Sequence, residues 1–347
     1  MVLESALSEF MVMISEMLGQ QTWLVTGAAG FIGSHLMERL LSLGQRVIGL
    51  DNFSTGSRKN LDHVRARVAP DQWARLAFFE LDIRDRKALQ DLIAQHKPRY
   101  ILHQAALGSV PRSIADPVSS HESNVDGFIN VLEAARAAGV KRIVYASSSS
   151  VYGDLDNGAK TELKLGDCLS PYAATKRIGE VYAQVYGRVY GLETIGLRYF
   201  NVFGPRQDPN GPYAAVIPRW LAAMTQGEPV TIYGDGNTSR DFCYVANVVD
   251  ANIRAATVAS DSRAINSVLN IACGTTTSLN ELEGLLRKAV STSLKIKADL
   301  LPSPKYEPFR QGDIPHSLAD ISFAREALGY IPGYSVEQGL GELVRGL

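Results

Sequence analysis

The 347-residue chain has no excess of charge of either sign: 35 Lys and Arg stand against 36 Asp and Glu. A net charge of −1 removes the broad positive field on which nonspecific nucleic-acid binding relies, while leaving a local basic patch open. Cysteine is scarce too. Cys168, Cys243 and Cys273 form no CxxC pair, which argues against a disulfide framework or a cysteine zinc site and fits a reducing, cytoplasmic compartment. No run approaches the roughly 18 apolar residues of a membrane span. The apolar stretch 10–14 is flanked by Glu4, Glu9 and Glu16, with no Lys or Arg before Arg39, so it does not read as a signal peptide. Residues 1–20 read as an N-terminal extension, either a short amphipathic helix or a loose segment. Internal repeats and low-complexity tracts are also missing.

What is present is an ordinary globular composition. With 46% hydrophobic and 20% charged residues the chain can bury a sizeable core, and disorder is disfavoured. At about 150 residues per domain, one large or two smaller domains are expected. Short apolar runs at 22–26, 46–50, 76–81, 100–103 and 142–146 recur with helical patterns between them. Continuous apolar strands separated by helices predict an α/β fold with a doubly wound parallel sheet covered on both faces. Such a sheet holds its ligands at the carboxyl ends of its strands. After about residue 200 the texture changes to turn-forming segments, Gly204-Pro205, 208–212 and 233–236. The run 268–272 returns to the first pattern and leads to Ser278-Leu279-Asn280-Glu281, which fits a capping box opening a helix.

Gly27, Gly30 and Gly33 follow the first strand and open a helix over 34–43. Glycines so placed allow a tight turn, close approach of backbone N–H groups to a pyrophosphate, and close helix–strand packing. Roughly 20 residues further on, Asp51 closes the next strand where it can accept both hydroxyls of a ribose. An acid there repels a 2′-phosphate, and Asn52 follows where an NADP protein would often offer Arg; the expected cofactor is NAD. Asp82-Ile83, after the third strand, suits an adenine edge or is simply a solvated strand end. The expected organisation is therefore a Rossmann NAD-binding domain over 21–200, with return segments near 240–275, and a smaller interleaved α/β substrate lobe over 201–347.

Four serines, 147–150, follow the strand that ends at Ala146. Ser170 is a good N-cap and Pro171 a good first residue, so a helix is predicted to start there. Tyr172 and Lys176 then lie one turn apart on one face. An ammonium beside a phenol favours phenolate and lowers its pKa from ~10, which would make Tyr172 a usable base.

These motifs together resemble the extended short-chain dehydrogenase/reductases, and within them the nucleotide-sugar 4-epimerases, nearest to those acting on UDP-N-acetylglucosamine. The likeness runs from about Thr22 to Tyr330. It takes in the glycine loop, Asp51-Asn52-Phe53, His103-Gln104-Ala105-Ala106, Asn124, 148–153, the Tyr172/Lys176 pair, 198–205, 233–236, 240–242 and 310–313. The resemblance implies tightly held NAD, used and regenerated in each turnover. Tyr172 removes the O4 proton while hydride leaves C4, Ser148 hydrogen-bonds O4, and Lys176 holds the ribose and tunes Tyr172. A 4-keto sugar swings about its pyrophosphate link and takes the hydride back on its other face. Cofactor contacts are implied for Gly27, Gly30, Phe31, Ile32 and Gly33, for Asp51, Asn52, Ser54, Thr55 and Gly56, and for Asp82 and Ile83. They extend to Gln104, Ala105, Ala106, Asn124, Tyr199 and the Tyr172/Lys176 pair. Substrate contacts are implied for Gly108, Ser109, Ser148, Ser149, Ser150, Asn201, Gln207 and Ala215. Tyr233, stacking on uracil, Arg240, Arg310, Asp313 and Ser317 complete the set. The alternative for Arg240 is a surface pair with Asp241. No metal is expected.

The serine run separates this chain from related enzymes. The 4,6-dehydratases place Asp and Glu directly after the equivalent of Ser148, and the UDP-glucuronate decarboxylases place Glu at the equivalent of Ser150. Hexose-restricted epimerases carry a bulky tyrosine at the equivalent of Ser317, and a serine there leaves room for a C2 N-acetyl group. The resemblance thus implies UDP-GlcNAc/UDP-GalNAc epimerisation, with UDP-Glc/UDP-Gal alongside it. The alternatives are a UDP-uronate substrate (UDP-GlcNAcA/UDP-GalNAcA or UDP-GlcA), with Arg112 meeting the carboxylate, and a non-catalytic NAD-binding sensor. Helices near 115–138 and 172–189 resemble those that form a four-helix homodimer interface. Neither nucleic acid nor membrane is an expected partner.

Overall fold

A computed structural model describes residues 19–155, 158–209, 214–309 and 316–345. All but the last two residues of the N-terminal extension lie outside this set, as do Arg310 and Asp313.

The apolar runs form the strands β1 (Thr22–Thr26), β2 (Arg46–Asp51), β3 (Leu76–Glu80), β4 (Tyr100–His103), β5 (Arg142–Ser148), β6 (Glu193–Tyr199) and β7 (Ser267–Ile271). All pair in parallel, in the order β7-β6-β5-β4-β1-β2-β3. The order reverses between β1 and β4, and that switch point opens a crevice at the strands' carboxyl ends. Alternation along β1 sends Trp23 and Val25 into one core layer and Leu24 into the other, so both sheet faces are covered.

The helices that pack the sheet and the second lobe include α1 (Phe31–Ser42), α2 (Arg86–His96), α3 (Gly127–Ala138), α4 (Pro171–Tyr190), α5 (Val245–Thr257), α6 (Leu279–Leu294) and α7 (Val336–Val344). α2, α3 and α4 cover one face of the sheet, and α1 and α5 the other. The predicted cap of α4 is present, with Ser170 Oγ accepting from the amide of Ala173 at 3.1 Å. So is the capping box of α6: Ser278 Oγ accepts from Glu281 N at 3.2 Å and Glu281 accepts from Ser278 N at 2.8 Å. α6 and α7 pack with Phe203, Trp220, Phe242 and Tyr244 in a third core. A small sheet joins this lobe to the large one, in the order Thr277–Ser278, Ser239–Arg240, His316–Ala319, Ala159–Lys160.

Three features go beyond the sequence pattern. β6 is a strand that no continuous apolar run marks. The strand expected to end at Ala146 runs on into the serines: Ser147 and Ser148 are the last residues of β5, and Ser149–Tyr152 is a 3-10 turn. Glu122–Asp126, just before α3, is a π-helical turn.

Candidate active site

The turn after β1 has almost no room for side chains. Gly27 adopts φ +68°, and a Cβ on it would sit 2.8 Å from Ala105 N; one on Gly33 would sit 2.0 Å from Gly27 O. α1 therefore starts against bare backbone. Its N-cap, Gly30, offers no side-chain hydrogen bond, which leaves the first N–H groups of the helix for an anion. Asp51 is buried at the end of β2, where its carboxylate accepts from Ala29 N at 2.9 Å and Phe53 N at 2.8 Å. Burial pushes its pKa up, against those amides, which favour the charge. Asp82 accepts from Asn52 Nδ2 at 2.8 Å and from the guanidinium fork of Arg84, which holds its carboxyl below the usual range.

At the floor, Tyr199 OH donates to Gln104 Oε1 (3.2 Å) and accepts from Asn252 Nδ2 (2.8 Å), while Gln104 Nε2 donates to Asn252 Oδ1 (3.1 Å). This closed triangle of hydrogen bonds ties β4, β6 and α5 together beneath the crevice.

Ser148 ends β5, and its Oγ accepts from the amide of Ser150 at 3.2 Å. Tyr172 is fixed at the first turn of α4, its amide donating to Ser113 Oγ at 2.9 Å. Lys176 Nζ lies 5.9 Å from the centre of the Tyr172 ring and donates to Ala146 O at 2.8 Å. The expected electrostatics are reversed in the protein alone. Burial raises the Tyr172 pKa, with a hydrogen bond to Ser148 opposing the rise, and burial brings Lys176 down to about 8, against the pull of Glu180. The spacing placed lysine and phenol on one face; the depth of the site, which disfavours both charges, overrides their mutual effect.

One cavity of about 760 Å³ takes in the glycine loop, Asp51 and the residues after it, Asp82, Ile83, the floor residues Gln104 and Tyr199, and the Ser148/Tyr172/Lys176 trio. Among substrate candidates it reaches Gly108, Ser109 and Gln207, and Gln207 Oε1 is a buried oxygen without a partner in the protein. Arg112, the candidate partner of a carboxylate, faces it as well. Ser123, Ser147 and Asp208 also line it, outside the contacts that the resemblance implies. Asn124 is not on this wall. It sits behind the wall, where Oδ1 accepts from Leu107 N (2.7 Å) and Nδ2 donates to Leu107 O (3.1 Å) and Thr175 Oγ1 (3.1 Å), so it positions the β4 loop against α4.

Ser149, Ser150, Asn201, Ala215, Tyr233, Arg240 and Ser317 lie off this wall; the adjacent Ala214 lines it in place of Ala215. Asn201, at φ +32°, donates to Asp241 O at 3.3 Å. Arg240 stands opposite Ser317 across two parallel strands and donates to Ser239 O at 2.9 Å. It makes no surface pair with Asp241, which is fully buried and accepts from the amides of Cys273 (2.9 Å), Gly274 (3.0 Å) and Ala319 (3.3 Å).

The N-terminus of α1, the buried acid closing β2 and the Tyr172/Lys176 pair line one cavity. Residues 23–272 match the NAD dependent epimerase/dehydratase family. The chain belongs to that family. It is 38% identical over 322 residues to the UDP-glucose 4-epimerase of Mycolicibacterium smegmatis, covering 92% of this chain and 96% of that one. Its fold matches the UDP-N-acetylglucosamine 4-epimerase from Methanobrevibacter ruminantium M1, solved with UDP-N-acetylmuramic acid, at a TM-score of 0.83 and 36% identity over 94% of this chain and 97% of the other. The UDP-glucuronic acid 4-epimerase from Bacillus cereus, solved with UDP-glucuronic acid and NAD, matches at 0.80 and 30% over 93% and 98%. These relatives place the chain among the nucleotide-sugar 4-epimerases of the short-chain dehydrogenase/reductase superfamily. NAD is the cofactor of this epimerase family, and the cleft fits it: the loop excludes any Cβ at Gly27 and Gly33, and Asp51 faces the cavity. Among the described residues no helix is long and apolar enough to cross a membrane, and no cluster of His, Cys, Asp and Glu could hold a metal ion.

Proposed function

We propose that this epimerase interconverts UDP-GlcNAc and UDP-GalNAc, and UDP-Glc and UDP-Gal with them, through a transient 4-keto sugar. The observation that carries this reading is the chemistry of the cavity wall. Its carboxylates, among the described residues, are Asp51, Asp82 and Asp208, and the positions after Ser148 are serines, so a dehydratase or decarboxylase would lack its acid/base carboxylate. Bound along the loop and Asp51, NAD supplies the hydride acceptor and donor. Tyr172 takes the O4 proton and returns it. Ser148, whose hydroxyl opposes the burial-driven rise of the Tyr172 pKa, orients O4, and Lys176, 5.9 Å from the ring centre, supplies the cation nearest the phenolate.

Choice of the N-acetylated sugar rests on Ser317, a small, partly buried residue beside Arg240. Ser317→Tyr should lower kcat/KM for UDP-GlcNAc about 10-fold or more and leave UDP-Glc within threefold, since a ring there fills space that an N-acetyl group needs. Equal loss on both sugars would remove the gating role.

A second reading, a UDP-uronate substrate, is favoured by Arg112, whose guanidinium chemistry suits a carboxylate and which faces the cavity. Parallel incubation with UDP-GlcNAc, UDP-Glc and UDP-GlcNAcA, without added NAD, decides between them by which products appear. Turnover of UDP-GlcNAcA alone selects the uronate.

We further propose a homodimer built on α4. Val181, Val185 and Val189 form a row along it that is 47%, 44% and 64% exposed. Ile114 and Val118, on the short helices packed beside α4, extend the patch. Apolar rows of this kind ask for a partner. Light scattering should give twice the 37.7 kDa chain mass, and Val185→Glu should return it to the single-chain value.

A further inference from the structure

One turn beyond Lys176, α4 carries a carboxylate with no solvent exposure. Glu180 Oε1 accepts from Ser147 Oγ at 2.6 Å and from Arg198 Nε at 2.8 Å; Oε2 accepts from Arg198 Nη2 at 2.8 Å and Arg177 Nη1 at 3.0 Å. Arg198, in β6, is equally buried and donates onward to Tyr152 OH (3.0 Å) and Glu162 O (3.0 Å). Tyr152 OH in turn donates to Asn270 Oδ1 in β7 at 2.6 Å. An ion pair at this depth is a costly way to hold a fold, because desolvation offsets its attraction.

Its location gives it a use. Ser147 stands between Ala146, whose carbonyl accepts from Lys176, and Ser148, whose hydroxyl opposes the rise of the Tyr172 pKa. Glu180 therefore joins the helix that carries Tyr172 and Lys176 to the strand end that carries Ser148, at the residue between Ala146 and Ser148. Arg198 holds both oxygens of the carboxylate, one through Nε and one through Nη2.

We propose that Glu180 is a positioning residue: by clamping Ser147 it sets the spacing of Ser148 against Tyr172 and Lys176. The proposal rests on the catalytic roles given to those three residues above. It carries a second consequence for the lysine. The groups facing Lys176 are Tyr172 and Glu180 along α4, His103 from β4, and Arg198 from β6 acting through Glu180. His103 is held neutral, chiefly by burial and then by Lys176 itself, down to about 3. Glu180 is thus the carboxylate that favours the ammonium form of Lys176, against a burial that leaves it at about 8. Without it Lys176 loses its proton at lower pH.

The test compares the wild type, Tyr172→Phe, Glu180→Gln and Ser147→Ala in the full chain, by kcat, KM and the pH profile of kcat. Misplacing reacting groups by an ångström costs about 10²-fold, so Glu180→Gln should lower kcat on that order with KM within twofold. The alkaline limb of its profile should also move to lower pH. Ser147→Ala, which removes one arm of the clamp and leaves the ion pair intact, should lower kcat about 10-fold, and in Glu180→Gln it should add little. Should Glu180→Gln fail to fold, Ser147→Ala decides alone: a wild-type kcat overturns the proposal and a lowered kcat with unchanged KM and melting temperature supports it. Wild-type kcat and pH limb in a folded Glu180→Gln likewise overturn it. If Tyr172→Phe is inactive while both clamp variants are unchanged, the clamp alone fails; if the wild type turns over no nucleotide sugar, the function proposed above fails instead.

Discussion

Tyr172→Phe should lower kcat for 4-epimerisation by about 10²–10⁴-fold, the range that one positioned acid/base contributes. The loss should fall on kcat and leave KM nearly unchanged, because the phenol acts on O4 when the proton moves. Fold should survive. Tyr172 is held by its backbone, through Ser113 Oγ and the cap at Ser170, and its ring fills the same space without the hydroxyl. The variant also separates enzyme from sensor. A protein whose only task is to bind NAD would keep its ligand response without the phenol, whereas an epimerase keeps its NAD and loses turnover. Product analysis by chromatography and cofactor content by absorbance of the denatured supernatant read both from one preparation. Activity within threefold of wild type would end the assignment of Tyr172 as the base.

Gly33→Ala should cost nearly as much by a different route. The added methyl carbon would lie 2.0 Å from Gly27 O, and both partners are backbone, so no side chain can swing aside. Overpacking a well-filled interior costs about 1–3 kcal/mol, and a backbone contact this close belongs at the upper end. The strain can be relieved only by pushing α1 away from the turn, which moves the N–H groups that await the pyrophosphate. The purified variant should therefore carry less than about a tenth of the wild-type NAD and melt several degrees lower, as a loss of this size implies for a chain this long. NAD content at the wild-type level would show that the loop tolerates the shift and that packing of α1 does not govern cofactor binding.

Both variants fall where the sequence is most readable. The glycine spacing, Asp51 at the end of β2 and the two helix caps are local signals, each complete within a few residues of chain. β6 carries no such signal, because Glu193-Thr194-Ile195-Gly196-Leu197-Arg198-Tyr199 holds a glycine and a cation, which break an apolar pattern. The contacts that make them suitable come from elsewhere: Glu180 neutralises Arg198, and the Tyr145 and Val268 side chains occupy the space a Cβ on Gly196 would need. Asn124 is legible as a polar residue among the motifs but not as an internal brace, since the π-helical turn that places it beside Leu107 has no local mark. The Tyr172/Lys176 pair shows the same division. Spacing tells which face they share; their depth, and with it the direction of both pKa shifts, is a property of everything packed around them.

The small sheet that joins the two lobes bears on how the chain folds. Ala159 pairs with Leu318, and Ser239 with both Ser278 and His316, so its strands come from segments widely separated along the chain. Contacts between such distant segments form late, because the intervening loop must be closed before any of them contributes. Strands β1 to β6 all precede residue 200 and can pair as soon as they leave the ribosome. The sheet that contains Arg240 cannot be completed until residues 316–319 have emerged. A nascent chain can thus pair β1 to β6 well before it forms this sheet, and a stop before residue 316 leaves one edge of Ser239–Arg240 unpaired.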